Sequence, residues 1–216
     1  MKVETASGLI LRTRPLTETS LIVHWLTPEL GRIATVAKGA RRTQSPFAGK
    51  LDLFYAADFS FSRSRHSDLH NLREVKLLET HGVLRHDLLK LQQAAYAAAF
   101  LEQATETETP LPELFRLLAA FLQELCRQSL PPLGIFALEL KLLGELGLTP
   151  DPESSQLTPG AKKISQLLAA ADWPRILRIK PTAAQTAELH QWLHGFLIFH
   201  LGKLPRGRVS AVTGDN

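Results

Sequence analysis

The sequence predicts an α+β chain in two parts, a small β-barrel or sandwich followed by an all-helical part. Up to about residue 80, short apolar runs rich in β-branched and aromatic residues alternate with turn residues. Beyond that point the apolar residues recur at helical spacing, and Pro or Gly separates the periodic segments. We therefore expect a β domain over residues 1–80 and a helical domain over residues 81–216.

Five apolar runs in the first part have the length and spacing of strands. Between the second and third, Pro28 fixes φ and Gly31 can adopt a left-handed conformation, which is typical of a tight turn. A period of two through the fourth run would place Leu53 and Phe61 on the same face. The predicted strands are Leu9–Arg14, Leu21–Leu26, Ile33–Ala37, Leu51–Phe61 and Leu69–Leu78.

Apolar stripes predict the helices of the second part. Asp87 suits the first turn of the first helix, and Pro112 suits the first position of the second. Gly147 is expected to stop the third helix. The segment Gly207–Asn216 is expected to fray. The predicted helices are Leu84–Leu101, Pro112–Leu125, Ile135–Leu146, Lys162–Ala171 and Thr182–Leu201.

The composition excludes several classes of protein. With 44% hydrophobic residues the chain can bury a core. Its single cysteine, Cys126, excludes a disulfide framework and a cysteine-rich zinc site, and we expect this thiol to be a buried apolar group. We find no membrane-length apolar run and no signal-peptide pattern after Met1, so a soluble intracellular protein is expected. The sequence also lacks a nucleophile elbow, a phosphate loop and an H-E-x-x-H motif, so we expect no enzyme activity.

The histidines suggest a metal site only weakly. His190 and His194 are four residues apart on the last predicted helix, and His200 follows, but no third ligand occupies that face. An ordinary packed helix is therefore the favoured interpretation. His66 and His70 flank a predicted strand start and are expected to face solvent.

The most informative feature is a cationic segment in the first part. The formal net charge is +4, and the excess positive charge lies within residues 1–80. Residues 32–50 contain five cations and no acid, which favours a phosphate-contacting loop over a merely solvated one. Gly39 has no side chain, so a phosphate could approach the backbone of this segment closely. Aromatic rings for base stacking could come from a set mostly expected in the core, Trp25, Phe47, Phe54, Tyr55, Phe59 and Phe61. The candidate DNA-binding residues are Arg14, Arg32, Lys38, Arg41, Arg42 and Lys50.

A set of residues along the chain then identifies a family resemblance. In the first part it comprises Gly8–Leu11, Arg14, Glu18–Val23, Leu26, Thr27, Gly31, Ala37–Arg42, Ser45, Gly49, Leu51 and Phe54. In the helical part it comprises Phe136–Leu143, Gly147 and Pro150. With these residues the chain resembles the RecO family of bacterial recombination-mediator proteins, and Lys38–Arg42 is close to a family signature.

The resemblance implies an N-terminal OB-fold barrel followed by an all-α domain. It implies a protein that binds single- and double-stranded DNA and anneals complementary strands. It also implies three partners: RecR, the acidic C-terminal tail of the single-stranded-DNA-binding protein, and RecA, which replaces that protein on DNA. No catalysis or cofactor is implied, and the expected location is cytoplasmic, at the nucleoid.

One departure concerns a four-cysteine zinc module that many family members carry after the central helix. Here residues 149–160 form a short segment without cysteine, so no zinc is expected. The acidic tail should need an apolar pocket rimmed by cations in the helical domain. Candidates for that rim are Arg116, Arg127, Lys141, Lys162, Lys163, Arg175, Arg178, Lys203, Arg206 and Arg208.

Two alternative functions stay open at this point. The barrel could be structural in a protein-interaction scaffold, which predicts no affinity for nucleic acid. The chain could instead be an RNA-binding OB protein, which predicts a preference that depends on the 2′-hydroxyl.

Overall fold

The computed structural model describes residues 2–214. Its strands are β1 (Val3–Pro15), β2 (Leu21–Thr27), β3 (Gly31–Ala37), β4 (Ala56–Ser62) and β5 (Leu69–Glu79). A 3₁₀ turn covers Gly82–His86. The helices are α1 (Leu88–Ala104), α2 (Pro112–Arg127), α3 (Pro132–Glu145), α4 (Pro159–Ala170), α5 (Trp173–Ile176), α6 (Ala183–Leu201) and α7 (Arg208–Thr213). Within the described residues, no helix combines the length and apolar character needed to cross a bilayer.

The strands close into a barrel with the order β1-β2-β3-β5-β4. Neighbouring strands are antiparallel except β3 and β5, which pair in parallel through Ala34–Val36 and Leu69–Asn71. A five-stranded barrel closed in this way is the OB architecture. The predicted class, an α+β chain with an N-terminal OB-fold barrel followed by helices, is confirmed.

Aromatic side chains fill the barrel. The rings of Trp25 and Phe59 stack with centroids 4.0 Å apart, and both are buried. The indole N–H of Trp25 donates a hydrogen bond of 2.8 Å to Thr35 Oγ1, so its polar atom is satisfied inside the core. The inward side chains alternate along the strands with outward ones, as a half-buried sheet requires.

The fourth strand begins at Ala56, so the predicted period of two from Leu51 onward is wrong. Phe54 adopts a left-handed conformation with φ of 63°. Its N–H donates to Ile10 O at 2.8 Å, and the N–H of Ile10 donates to Tyr55 O at 2.9 Å. The chain therefore turns before β4, and the turn breaks the alternation that Leu51–Phe61 suggested.

The contacts divide the chain into two compact units. One comprises the chain up to Gly82 together with Thr105–Ala119, and the other comprises Val83–Ala104 and the chain from Ala120 onward. No pattern in the sequence predicts that Thr105–Ala119 belongs to the same unit as the barrel. The domain bounds 1–80 and 81–216 stay a prediction.

Local signals place the helix ends well. Pro112 is the first residue of α2, and Thr182 caps α6 with a reciprocal capping box to Gln185. Gly147, with φ of 72°, follows the end of α3 as predicted. The first helix begins at Leu88 rather than Leu84, immediately after Asp87.

The prediction that the C-terminal segment frays is wrong for α7. Arg208, its first residue, is buried, and its Nε donates to Glu139 Oε1 at 2.7 Å. This ion pair fixes α7 against α3, and no local pattern could indicate it, because its members are 69 residues apart. Asp215 and Asn216, at the end of the predicted frayed segment, lie outside the described residues.

Candidate nucleic-acid interface

The cationic segment after β3 is folded as a series of tight turns. The N–H of Arg42 donates to Gly39 O at 3.1 Å, and the N–H of Ser45 donates to Arg42 O at 3.1 Å. Gly39 has φ of 70°, a left-handed conformation that favours glycine. Phe47 is buried in the barrel core and anchors the end of the segment. The cations therefore stand on a loop whose backbone is already ordered.

This loop packs beside the turn that joins β1 to β2. The backbone N–H of Arg41 donates to Thr19 O at 3.0 Å, and its Nη1 donates to Thr17 O at 3.2 Å. Lys38 and Arg42 line a shallow cleft of about 420 Å³ with the same two threonines. The side chains of Lys38, Arg41 and Arg42 are exposed.

Two arginines of β1 extend the positive charge along the barrel. Arg14 lies in register with Ile22, and Ile22 lies in register with Val36, two residues before Lys38. With strands about 4.8 Å apart, the Cα of Arg14 is about 10 Å from that of Val36. Arg12 follows one pleat away on the same face, opposite His24. We call Arg12, Arg14, Lys38, Arg41 and Arg42 the cationic strip.

His24 lies on this face beside the arginines of β1. Burial lowers the pKa of His24 to about 4, and the charges of Arg12, Arg14 and Arg32 lower it as well. The imidazole is therefore neutral at neutral pH and adds no charge of its own.

Four of the five cations in the strip form no ion pair among the described residues. Glu18 lies in the adjacent turn and is exposed, so that turn brings an acid beside the loop, although residues 32–50 contain none. Across residues 2–214, Arg14, Lys38, Arg41 and Arg42 form no ion pair within 4 Å. Their guanidinium and ammonium groups are thus available to phosphate.

Two predicted residues lie apart from the loop that carries Lys38, Arg41 and Arg42. Arg32 stands at the far end of β3, about 20 Å from Lys38 along an extended strand. Its Nε donates to Thr105 Oγ1 at 2.8 Å and its Nη2 to Thr105 O, so it ties a connecting segment to the barrel. Lys50 lines a different groove, of about 770 Å³, whose cations and acids balance. The charged residues of that groove are Lys50, Arg73, Lys76, Glu29, Asp58 and Glu74.

The aromatic residues considered for stacking do not form an exposed platform. Trp25, Phe47, Phe54, Phe59 and Phe61 are all buried, and Tyr55 is half-buried. These six residues therefore offer no exposed ring surface on which bases could stack.

His70 is buried, so its predicted solvent exposure is wrong. Its ring stacks on Phe61 with centroids 5.3 Å apart, and its Nε2 lies 3.0 Å from Glu108 Oε1. The carboxylate of Glu108 comes from the remote segment that follows α1, which explains why a local pattern misplaced His70. His66 is exposed as predicted.

The helical unit offers no metal centre in the part of the chain that the structure describes. The rings of His190 and His194 lie with centroids 6.0 Å apart, but no group of three His, Cys, Asp or Glu side chains could hold an ion. Cys126 is half-buried rather than buried.

One residue of the cationic strip, Arg12, is absent from the set of DNA-binding residues predicted from the sequence. Arg12 was not among the candidate DNA-binding residues, although it stands two positions before Arg14 in a strand. Side chains two apart project from the same face of a strand, and this spacing is the signal that could have included Arg12.

Comparison with known proteins assigns the chain to a family. Residues 1–81 match the family model for the Recombination protein O N terminal, and residues 85–155 match that for the Recombination protein O C terminal. The chain belongs to the RecO family. The resemblance seen in the sequence is confirmed, and both matched RecO segments end before α4.

Curated relatives agree with this assignment. DNA repair protein RecO of Bacillus pumilus is 32% identical over 146 residues, covering 68% of this chain and 56% of that protein. The RecO protein of Anaeromyxobacter sp. strain K is 33% identical over 144 residues, covering 67% and 57%. The chain therefore spans just over half the length of the RecO relatives it matches.

Proposed function

We propose that this protein acts in DNA repair and recombination by binding single- and double-stranded DNA on its cationic strip and annealing complementary strands. The single observation that carries the proposal is the strip itself. Its cations are exposed, and among residues 2–214 Arg14, Lys38, Arg41 and Arg42 form no ion pair within 4 Å. Ordered turns hold the three that follow β3. The names of the relatives, DNA repair protein RecO, support the same function.

The strip would bind the sugar–phosphate backbone. Because the loop is already folded, few side chains and no backbone segment need to be ordered on binding, which lowers the entropic cost. Phosphate contacts carry no sequence information, so strands of any sequence would bind. Because the barrel's aromatic rings are buried, apart from the half-buried Tyr55, the bases of a bound strand stay free to pair with a complementary strand. Annealing follows from this arrangement without a catalytic residue.

The family resemblance supports three partners for the proposed function: RecR, the acidic tail of the single-stranded-DNA-binding protein, and RecA. Two residues leave the set proposed to rim the tail pocket. Arg208 is buried in its ion pair with Glu139, and Lys141 is half-buried and donates to Ala169 O at 3.0 Å. Exposed cations that remain in the set are Arg116, Arg127, Lys163, Arg175, Arg178, Lys203 and Arg206.

Replacing Arg41 and Arg42 together by alanine should weaken DNA binding and its dependence on salt. For single strands, log K falls with log salt by about 0.7 per neutralised phosphate, so the slope should decrease by about 1.4 if each arginine meets one phosphate. The measurement is the affinity for single-stranded DNA of two unrelated sequences over a range of salt concentrations. The variant should lose affinity for both DNA sequences to a similar extent.

The matched control replaces Arg73 and Lys76, two cations of the balanced groove, by alanine. This variant removes the same charge and should leave the slope within about 0.5 of the unchanged protein. An unchanged slope in a well-folded Arg41→Ala, Arg42→Ala variant would contradict the proposed site. No affinity of the unchanged protein for any nucleic acid would favour the scaffold, and a marked preference for RNA would favour the RNA-binding alternative.

A further inference from the structure

The helical unit contains a groove of mixed polarity that the proposed DNA site does not use. It has a volume of about 510 Å³ and lies between the loop before α4 and the middle of α6. Leu157, Trp192 and Phe196 supply its apolar surface, and Asp151 and Glu188 supply its charge. The groove is lined by side chains from two segments, so its shape depends on how the loop is held.

The loop is held by hydrogen bonds to its acids. Glu188 Oε2 accepts from both the N–H and the hydroxyl of Thr158, each at 2.9 Å. The carboxylate of Asp151 accepts from the N–H groups of Glu153 and Ser154, at 3.0 Å and 3.2 Å. These hydrogen bonds therefore hold both acidic side chains beside the groove.

An aromatic ridge continues from the groove along α6. Trp192, Phe196 and Phe199 are four and three residues apart, which places them on one face of the helix. Phe199 is 83% exposed, and Phe196 packs against the ring of His200 with centroids 4.1 Å apart. Trp192 and Phe196 are half-buried, so the row becomes more exposed toward Phe199. Aromatic side chains that reach the surface in a row are typical of interaction surfaces.

The charge beside the groove selects the kind of partner. Among the described residues that line it, the ionisable ones are the acids Asp151 and Glu188, and no lysine or arginine lines it. A phosphate backbone or an acidic peptide would meet like charge here. A segment with apolar side chains flanked by Lys or Arg would meet complementary charge.

We propose that the groove and the aromatic ridge form a docking site for a partner protein, which presents an amphipathic segment with apolar anchors and flanking basic residues. The apolar anchors would cover Trp192, Phe196 and Phe199, and the basic residues would face Asp151 and Glu188. This surface differs from the one needed for the acidic tail of the single-stranded-DNA-binding protein, which requires a cationic rim.

The experiment uses the full chain and two labelled synthetic peptides. Both carry the same leucines and tryptophan at i, i+3, i+4 and i+7, with lysine at the flanking positions in one peptide and glutamate in the other. Fluorescence anisotropy should show binding of the lysine peptide. The Phe199→Ala variant should bind it about tenfold more weakly. Ile198→Ala, which removes an exposed apolar side chain from another face of α6, is the matched control and should bind normally.

A second pair of variants tests the role of charge. Glu188→Gln keeps an oxygen that can accept from Thr158. This variant should bind the lysine peptide about three- to fivefold more weakly, and its affinity should depend less on salt. Glu145→Gln, which removes an exposed acid from α3, should have no effect.

Four outcomes would overturn the proposal. The first two are no binding of the lysine peptide and an equal loss of its binding in Phe199→Ala and Ile198→Ala. The third is that the glutamate peptide binds and that Phe199→Ala abolishes this binding. The fourth is that Phe199→Ala weakens the binding of single-stranded DNA. Analytical sedimentation tests whether a second copy of this protein occupies the ridge instead. A dimer of the unchanged chain that dissociates in the Phe199→Ala variant would show this and would also overturn the proposal.

Discussion

Replacing Arg208 by alanine should lower the free energy of unfolding of the helical unit by about 3–5 kcal/mol. Arg208 and Glu139 are 2% and 0% exposed, and two hydrogen bonds of 2.7 Å and 3.0 Å join them. Removal of the guanidinium leaves the carboxylate of Glu139 buried without its counter-charge, which costs far more than the loss of an exposed ion pair.

Tyr96 completes this buried network. Its hydroxyl donates to Glu139 Oε1 at 2.5 Å. Burial and the neighbouring carboxylate of Glu139 raise the pKa of Tyr96 well above its ordinary value, so the phenol stays protonated and remains a donor. In the alanine variant this single hydrogen bond is the main compensation left to Glu139.

Urea unfolding followed by helical circular dichroism measures the effect. Arg206→Ala, an exposed arginine two residues earlier, is the matched control and should change the free energy of unfolding by less than about 0.5 kcal/mol. The double variant Glu139→Leu, Arg208→Met should be more stable than Arg208→Ala, because it leaves no unpaired charge. A stability of Arg208→Ala within about 1 kcal/mol of the unchanged protein would contradict the role assigned to the pair.

Replacing Gly31 by alanine should destabilise the barrel unit by about 2–4 kcal/mol. Gly31 has φ of 65°, and an added Cβ would lie 1.7 Å from the carbonyl oxygen of Thr109. The segment that contains Thr109 would have to move away from β3. That movement would break the hydrogen bond of 2.9 Å from the N–H of Glu108 to Arg32 O, and the contacts of Arg32 with Thr105.

Gly49→Ala separates the two causes of this loss. Gly49 has a similar φ of 70°, but nothing lies within 4 Å of its added Cβ. It should therefore show only the backbone strain, about 1 kcal/mol. Thermal unfolding of both variants measures the difference. Equal losses at the two positions would show that the contact between β3 and Thr109 contributes nothing.

Local chemistry explains which parts of the fold could be predicted from the sequence. Pro112, Thr182 and Gly147 each act on the backbone next to them, so the helix ends they mark are placed correctly. The strand runs were found because β-branched and aromatic residues cluster between turn residues. The boundary of β4 was missed because the left-handed Phe54 interrupts the alternation, and a phenylalanine carries no signal for that conformation.

The parts that could not be predicted depend on partners remote in the sequence. His70 is buried because Glu108 lies beside it, and Arg208 is buried because Glu139 accepts its hydrogen bonds. The candidate site shows both cases. The turns that carry Lys38–Arg42 are local and were identified, whereas the separation of Arg32 from them follows from the length of an extended strand and from its contact with Thr105.

The central claim is that DNA follows the cationic strip, and site-directed cross-linking tests it most directly. In a Cys126→Ser background, one variant carries Gln44→Cys, on the loop of the strip, and the other carries Glu74→Cys, in the balanced groove. Both positions are exposed. Each cysteine is labelled with a photoactivated azide, and the protein is irradiated with a short oligothymidine. We expect strong cross-linking from position 44 and little from position 74. Cross-linking from position 74 with none from position 44 would contradict the account.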